Sequence, residues 1–198
     1  MKKKYKFLKD DTIEYECRTL TRIIRIEDDL IGGYIESEHN LSHDGSCFVC
    51  DNAKVFGNAE VFDSAEVYGA AEVFGNARVF GNARVFGNAR VYGDARVFDK
   101  AEIYCNAEVF DNAKVLNRAK VTGDDIVTGP VSVIHDLLEF NFTISKKDKR
   151  IREGCKSHTF DGWLNIYDND YDRYLTECWS RDSHRNLMSM IKRIIEEV

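Results

Sequence analysis

From Ala53 onward the chain repeats a six-residue unit, Ala-(Arg/Lys/Glu)-Val-(Phe/Tyr)-(Gly/Asp)-(Asn/Asp/Ser), and its register does not slip. The valine-type position recurs at every sixth residue from Val49, Val55 and Val61 through Ile103 to Val127 and Val133, so fifteen hexads occupy nearly half of the 198 residues. An uninterrupted period of six is the signature of a parallel β-helix, in which each hexad is one short strand and one corner. Three hexads close a triangular coil, and fifteen give five coils.

Strand parity then assigns the side chains. Alternate residues of a strand face opposite ways, so Ala and Val share one face while the charged residue and the aromatic share the other. Charges repeated over so many layers cannot be buried, which sends the rings outward with them. The expected core is a narrow stack of Ala and Val, and Gly, Asn and Asp supply corners that require left-handed backbone.

Steps of eighteen residues identify the side chains that stack, about 4.8 Å apart. One outward charged column reads Lys54, Glu72, Arg90, Glu108 and a second reads Glu66, Arg84, Glu102, Lys120; both alternate in sign. The third reads Glu60, Arg78, Arg96, Lys114 and is mostly basic. The ring columns are Phe56, Phe74, Tyr92, Phe110; Phe62, Phe80, Phe98, followed by Leu116; and Tyr68, Phe86, Tyr104. These ten of the 23 aromatics are expected on the surface, which makes an aromatic-rich composition a property of the outside of the coil.

The hexads resemble the hexapeptide-repeat, left-handed β-helix superfamily, best known for trimeric acyltransferases, and left-handedness is what that resemblance implies. Gly32-Gly33-Tyr34-Ile35-Glu36, Asn40-Leu41-Ser42, Gly45 and Cys47-Phe48-Val49, with the Asp-Asn-Ala-Lys-Val that follows, look like the entry region of the uncharacterised hexapeptide "transferase-like" proteins of bacteria and their phages. The resemblance covers roughly residues 5–125. The chain as a whole is expected to be mainly β: a parallel β-helix of about five coils over residues 47–134, left-handed as the resemblance implies, with a β-rich N-terminal cap over 1–46 and an α+β C-terminal cap over 135–198 that ends in helices.

Within the first part, Tyr5–Phe7, Ile13–Cys17 and Leu20–Ile26 alternate as strands do. After Val133, residues 137–145 read as a strand, 146–150 as a charged turn, and 151–166 as further β structure. Helices are expected near 169–179 and 183–197, the second with an apolar stripe at Leu187, Met190, Ile191, Ile194 and Ile195 that packs on the cap. The acidic run Asp168-Asn169-Asp170-Tyr171-Asp172 lacks the spacing of a calcium loop and reads as a solvated helix start.

Several function classes drop out. No run of 18 apolar residues is present and Met1-Lys2-Lys3-Lys4 leads into polar sequence, so neither a membrane span nor a signal peptide is expected. The expected setting is the cytoplasm, the host's where the chain is phage-encoded. A net charge of -6 spread evenly along the chain gives no basic footprint for nucleic acid, which leaves base stacking on a ring ladder as a disfavoured option. The six cysteines are expected as reduced thiols.

Acyltransferases of the resembled superfamily use a histidine base near a subunit junction. The five histidines, His39, His43, His135, His158 and His184, all lie outside the hexads proper. His43 and His135 flank the two ends of the coil and are the positions to test. A Cys3His zinc site can be written from Cys47, Cys50, Cys155 and His158, but parity sends Cys47 inward and Cys50 outward. No cofactor is expected.

The expectation is a non-enzymatic, rigid binding protein that presents an aromatic and charged face to a protein partner. Inhibition of a host enzyme or defence component is the use its resemblance to phage proteins suggests. The favoured face combines Phe62, Phe80 and Phe98 with Arg78, Arg96 and Lys114. Two alternatives stand beside it: an acyltransferase working at a trimer interface, and a structural protein that self-associates through a coil face or its C-terminal helices.

Overall fold

The parity of the hexads governs the architecture of this computed structural model, which describes residues 3–123 and 126–128, position 161, and the strands Ser132–His135, Phe142–Ser145, Arg150–Glu153 and Lys156–Thr159. Each hexad contributes a strand such as Arg84–Val85 that pairs in parallel with its equivalents one coil below and one above, Glu66–Val67 and Glu102–Ile103. The result is a parallel β-solenoid of about five turns with three ladders. Face I carries Lys54, Glu72, Arg90, Glu108 and Ile126; face II carries Glu60, Arg78, Arg96 and Lys114; face III carries Phe48, Glu66, Arg84, Glu102 and Lys120.

The interior is built as the repeat requires. Every inward Ala and Val or Ile from Ala53 to Val121 is at most 1% exposed. Each such valine is worth about 1.5–3 kcal/mol of burial, and alanine between valines keeps the prism narrow. At the corners the fifth residue of the hexad sits at positive φ. Where it is not glycine it is Asp51, Asp63, Asp99, Cys105, Asp111 or Asn117, with φ between 56° and 61°. The aspartates offset the strain of that conformation by reaching one coil onward: Oδ2 of Asp51 accepts the Gly69 N–H at 3.0 Å, and Asp63 and Asp99 do the same for Gly81 and Asn117.

The coil begins earlier than the regular hexads. Ile35 pairs with Val55 and Leu41 with Val61, twenty residues on instead of eighteen. Ile35 and Leu41 are themselves six apart, so they are valine-type positions of a preceding coil, offset by two extra residues before Val49. The insertion is absorbed in a corner at Gly45, whose φ is +70° and where a Cβ would lie 2.0 Å from the Asp63 carbonyl oxygen. Asn40, fully buried, closes this first turn: its side-chain N–H groups donate to the Gly57 and Ala59 carbonyls, and its Oδ1 accepts the Ser37 N–H.

Before this coil, β1 (Tyr5–Tyr15) and β2 (Arg18–Arg25) form an antiparallel hairpin through a two-residue turn in which Glu16 and Cys17 both have positive φ. β3 (Ile31–Ile35) pairs with β2 on one side and with Lys54–Val55 on the other, so face I runs without a break into the hairpin. At the other end Ser132–His135 extends the face II ladder in parallel with Lys114–Asn117. Three further strands, Phe142–Ser145, Arg150–Glu153 and Lys156–Thr159, continue it antiparallel. The segments expected as helices, 169–179 and 183–197, with the stripe from Leu187 to Ile195 and the Asp168–Asp172 run, lie outside the described residues. Among the described residues no helix is long and apolar enough to cross a membrane.

Candidate interaction surface

All three ring columns stack as the eighteen-residue steps require, with centroids 4.8–5.0 Å apart and planes within 7° of parallel. The three faces differ in what lies over the rings and in how the charges are matched.

Face I is covered at its first coil by its own chain. Phe56 is 2% exposed, beneath Leu20, Tyr34 and an edge-on Tyr15 ring 5.7 Å away, so this ring points away from the prism without reaching the surface expected for it. The Tyr15 hydroxyl donates to the Glu72 carboxylate, and that hydrogen bond, assisted by burial, pushes the phenol up to about 12. Lys54 lies over the Tyr15 ring and beside Glu72, and Arg90 sits between Glu72 and Glu108.

On face III the charges alternate and satisfy one another. Arg84 lies 3.5 Å from both Glu66 and Glu102, Lys120 lies 3.4 Å from Glu102, and the Arg84 guanidinium spans the Tyr68 and Phe86 rings.

Face II does neither. Phe62, Phe80 and Phe98 form a half-buried ladder. Arg78 is anchored by Glu60 at 2.9 Å and lies over Phe62 and Phe80. Arg96, however, has Arg78 on one rung and Lys114 on the next. Of the four arginines at the charged position of the hexads, Arg78, Arg84 and Arg90 each hold an ion pair and a ring contact, whereas exposed Arg96 holds neither among the described residues. Lys114 is likewise exposed and unmatched among them. Like charges in direct register on a sheet repel, and an anion laid across them removes the repulsion.

The structure separates the other candidates. His43 lines a cavity of about 540 Å³ with Lys3, Lys4, Ile26, Glu27, Asp44 and Gly45. Its ring stacks on Tyr5, and its Nδ1 accepts the Lys4 backbone N–H, which places the proton of the neutral ring on Nε2, a buried atom with no partner. That geometry fixes the orientation of the ring. His135 lies at the end of its strand opposite Asn117, its side chain outside the described set.

Cys47 is fully buried in the core with the Lys4 ammonium 3.1 Å from its sulfur, and burial pushes its thiol up. Cys50 is half-buried, its thiol also raised by burial. His158 is paired through its backbone with Ile151, and Cys155 lies outside the described residues. No group of three or more metal-ligating side chains occurs among the described residues.

Sequence reading missed the cover over Phe56. Tyr15 and Leu20 were legible as strand residues, but nothing local said that the hairpin folds over face I. The missed link between Lys4 and Cys47 is of the same kind.

Fold and surface together define a parallel β-solenoid whose outward ring ladders carry three different charge patterns. The chain matches no protein-family model, and no curated protein matches it in sequence.

Proposed function

We propose that this protein is a non-enzymatic, rigid interaction module whose face II receives an acidic segment of a protein partner. The observation that carries this reading is that, among the described residues, Arg96 and Lys114 have no opposite charge and stand beside a half-buried ladder of Phe62, Phe80 and Phe98. Carboxylates on the partner neutralise the two cations, and its apolar side chains lie on the rings. Arg78, already held by Glu60, acts as a spacer that keeps two of the rings flat. A solenoid suits this use because its ladders are fixed before binding, so little ordering cost accompanies association.

With this function goes a finer architecture: a left-handed coil, closed by the β1–β3 segment at one end and by the segment after Ser132 at the other. The resemblance of the entry region adds the setting, a phage-derived protein acting in the host cytoplasm on an enzyme or defence component.

The test is affinity capture from the lysate of the native host with wild-type protein and with R96E/K114E, each checked for native circular dichroism. A protein retained by wild type, released by moderate salt and absent from the double variant is the expected result. Equal retention by both forms would reject face II as the binding surface.

A further inference from the structure

The charge column of face III reads Glu66, Arg84, Glu102, Lys120, and it is its own complement when reversed. We infer that face III is a self-recognition surface that pairs two copies of this chain antiparallel.

The argument is geometric. Two flat faces related by a twofold axis in the interface plane can have that axis along the strands or along the coil. With the axis along the strands, each column meets the same column of the second copy in reverse order. Centred between the Arg84 and Glu102 rungs, it places Glu66 opposite Lys120 and Arg84 opposite Glu102, and the same two contacts recur by symmetry. All four contacts join opposite charges. The ring column follows the same operation, setting Phe86 against Tyr104 and Tyr68 against Thr122. With the axis along the coil and passing through the charged column, each residue would meet itself, and every charge contact would be repulsive.

Neither of the other faces has this property in usable form. Face II read in reverse sets Arg78 against Arg96. Face I is formally palindromic over Lys54, Glu72, Arg90 and Glu108, but the β1–β2 hairpin and Tyr15 occupy its first coil. On face III Glu66, Arg84 and Lys120 keep side-chain exposures of 56%, 45% and 49%. Their ion pairs within the chain are long, 3.4–3.5 Å, and although one Arg84 Nη also donates to the Tyr68 hydroxyl, carboxylate oxygens and further guanidinium protons stay able to bond across an interface. Four rungs span about 14 Å between their outer members, so the pairing is at the small end of specific interfaces and its affinity falls with salt. It leaves face II of both copies exposed, and it rests on observations separate from those behind the proposed function.

The experiment is light scattering with sedimentation over a concentration series up to about 0.5 mM at low salt, where weak pairing is populated. It uses wild type, R84E, R84E/E102R and, as a face I control, R90E, with circular dichroism confirming the coil in each. R84E sets a carboxylate against that of Glu102 in the second copy and is expected to be monomeric. R84E/E102R restores an antiparallel palindrome (negative, negative, positive, positive) and is expected to regain the dimer, while R90E dimerises as wild type does. A monomeric wild type throughout the series, a trimer, or a dimer that survives R84E would each overturn the proposal. Should R84E perturb the coil, Arg84→Gln, which deletes the charge without reversing it, is expected to weaken dimerisation at least tenfold; no change would have the same overturning force.

Discussion

Faces I and II are built from the same hexads and carry the same ring ladder, yet among the described residues one is finished by its own chain and the other is not. On face I, Tyr15 closes over Phe56, its hydroxyl meets Glu72, and Lys54 and Arg90 both find carboxylates. On face II, among the described residues, only Arg78 lies over the rings of Phe62 to Phe98, and Arg96 and Lys114 pair with no carboxylate. The repeat therefore specifies the platform, while the departures from it, a hairpin on one side and a run of three cations on the other, make its faces different from one another.

The largest effect expected from breaking this contrast is at the paired phenylalanines. Phe56→Ala opens a buried site and should cost about 3–5 kcal/mol in urea denaturation, whereas Phe62→Ala removes one half-exposed stacking partner at about 0.5–1.5 kcal/mol. Equal losses would mean that the hairpin does not bury Phe56 in solution.

Next comes Tyr15→Phe, which deletes a hydrogen bond to a charged acceptor and should cost about 1–2 kcal/mol. The same contact has a pH signature. The folded phenol holds its proton to about 12 while an unperturbed one releases it near 10.0, so its contribution is complete below pH 10 and is lost as the pH rises toward 12. Denaturation midpoints measured across that window should fall more in wild type than in Tyr15→Phe; parallel profiles would place the Glu72 contact outside the solution structure.

The smallest effect is the most diagnostic because it changes sign. Arg96→Glu turns face II into an alternating column and should raise stability by up to about 1 kcal/mol while abolishing partner retention. Arg90→Glu on face I lines up three carboxylates and should lower stability by a similar amount. Thermal melts of the two variants side by side check both signs.

The interior and the columns were legible in sequence because parity and an eighteen-residue step follow from local geometry alone. The isolation of Arg96 was legible for the same reason, since it needs only the identities at 78, 96 and 114. The early coil was hidden because its two-residue insertion removes Ile35 and Leu41 from the period. The hairpin turn was hidden because Glu16 and Cys17 adopt positive φ without being Gly, Asn or Asp. The cover over face I was beyond any local rule, because it depends on Tyr15 meeting Glu72 across 57 residues.

The aspartate corners give the coil a direction. Asp51, Asp63 and Asp99 each reach toward the next coil in chain order, and Asp111 accepts the Thr128 hydroxyl in the same sense. Each of these turns, once formed, offers a ready acceptor to the turn that follows. A chain leaving the ribosome N-terminus first would thus meet, at every such corner, a preceding turn already prepared to receive it, so that assembly can keep pace with synthesis one coil at a time.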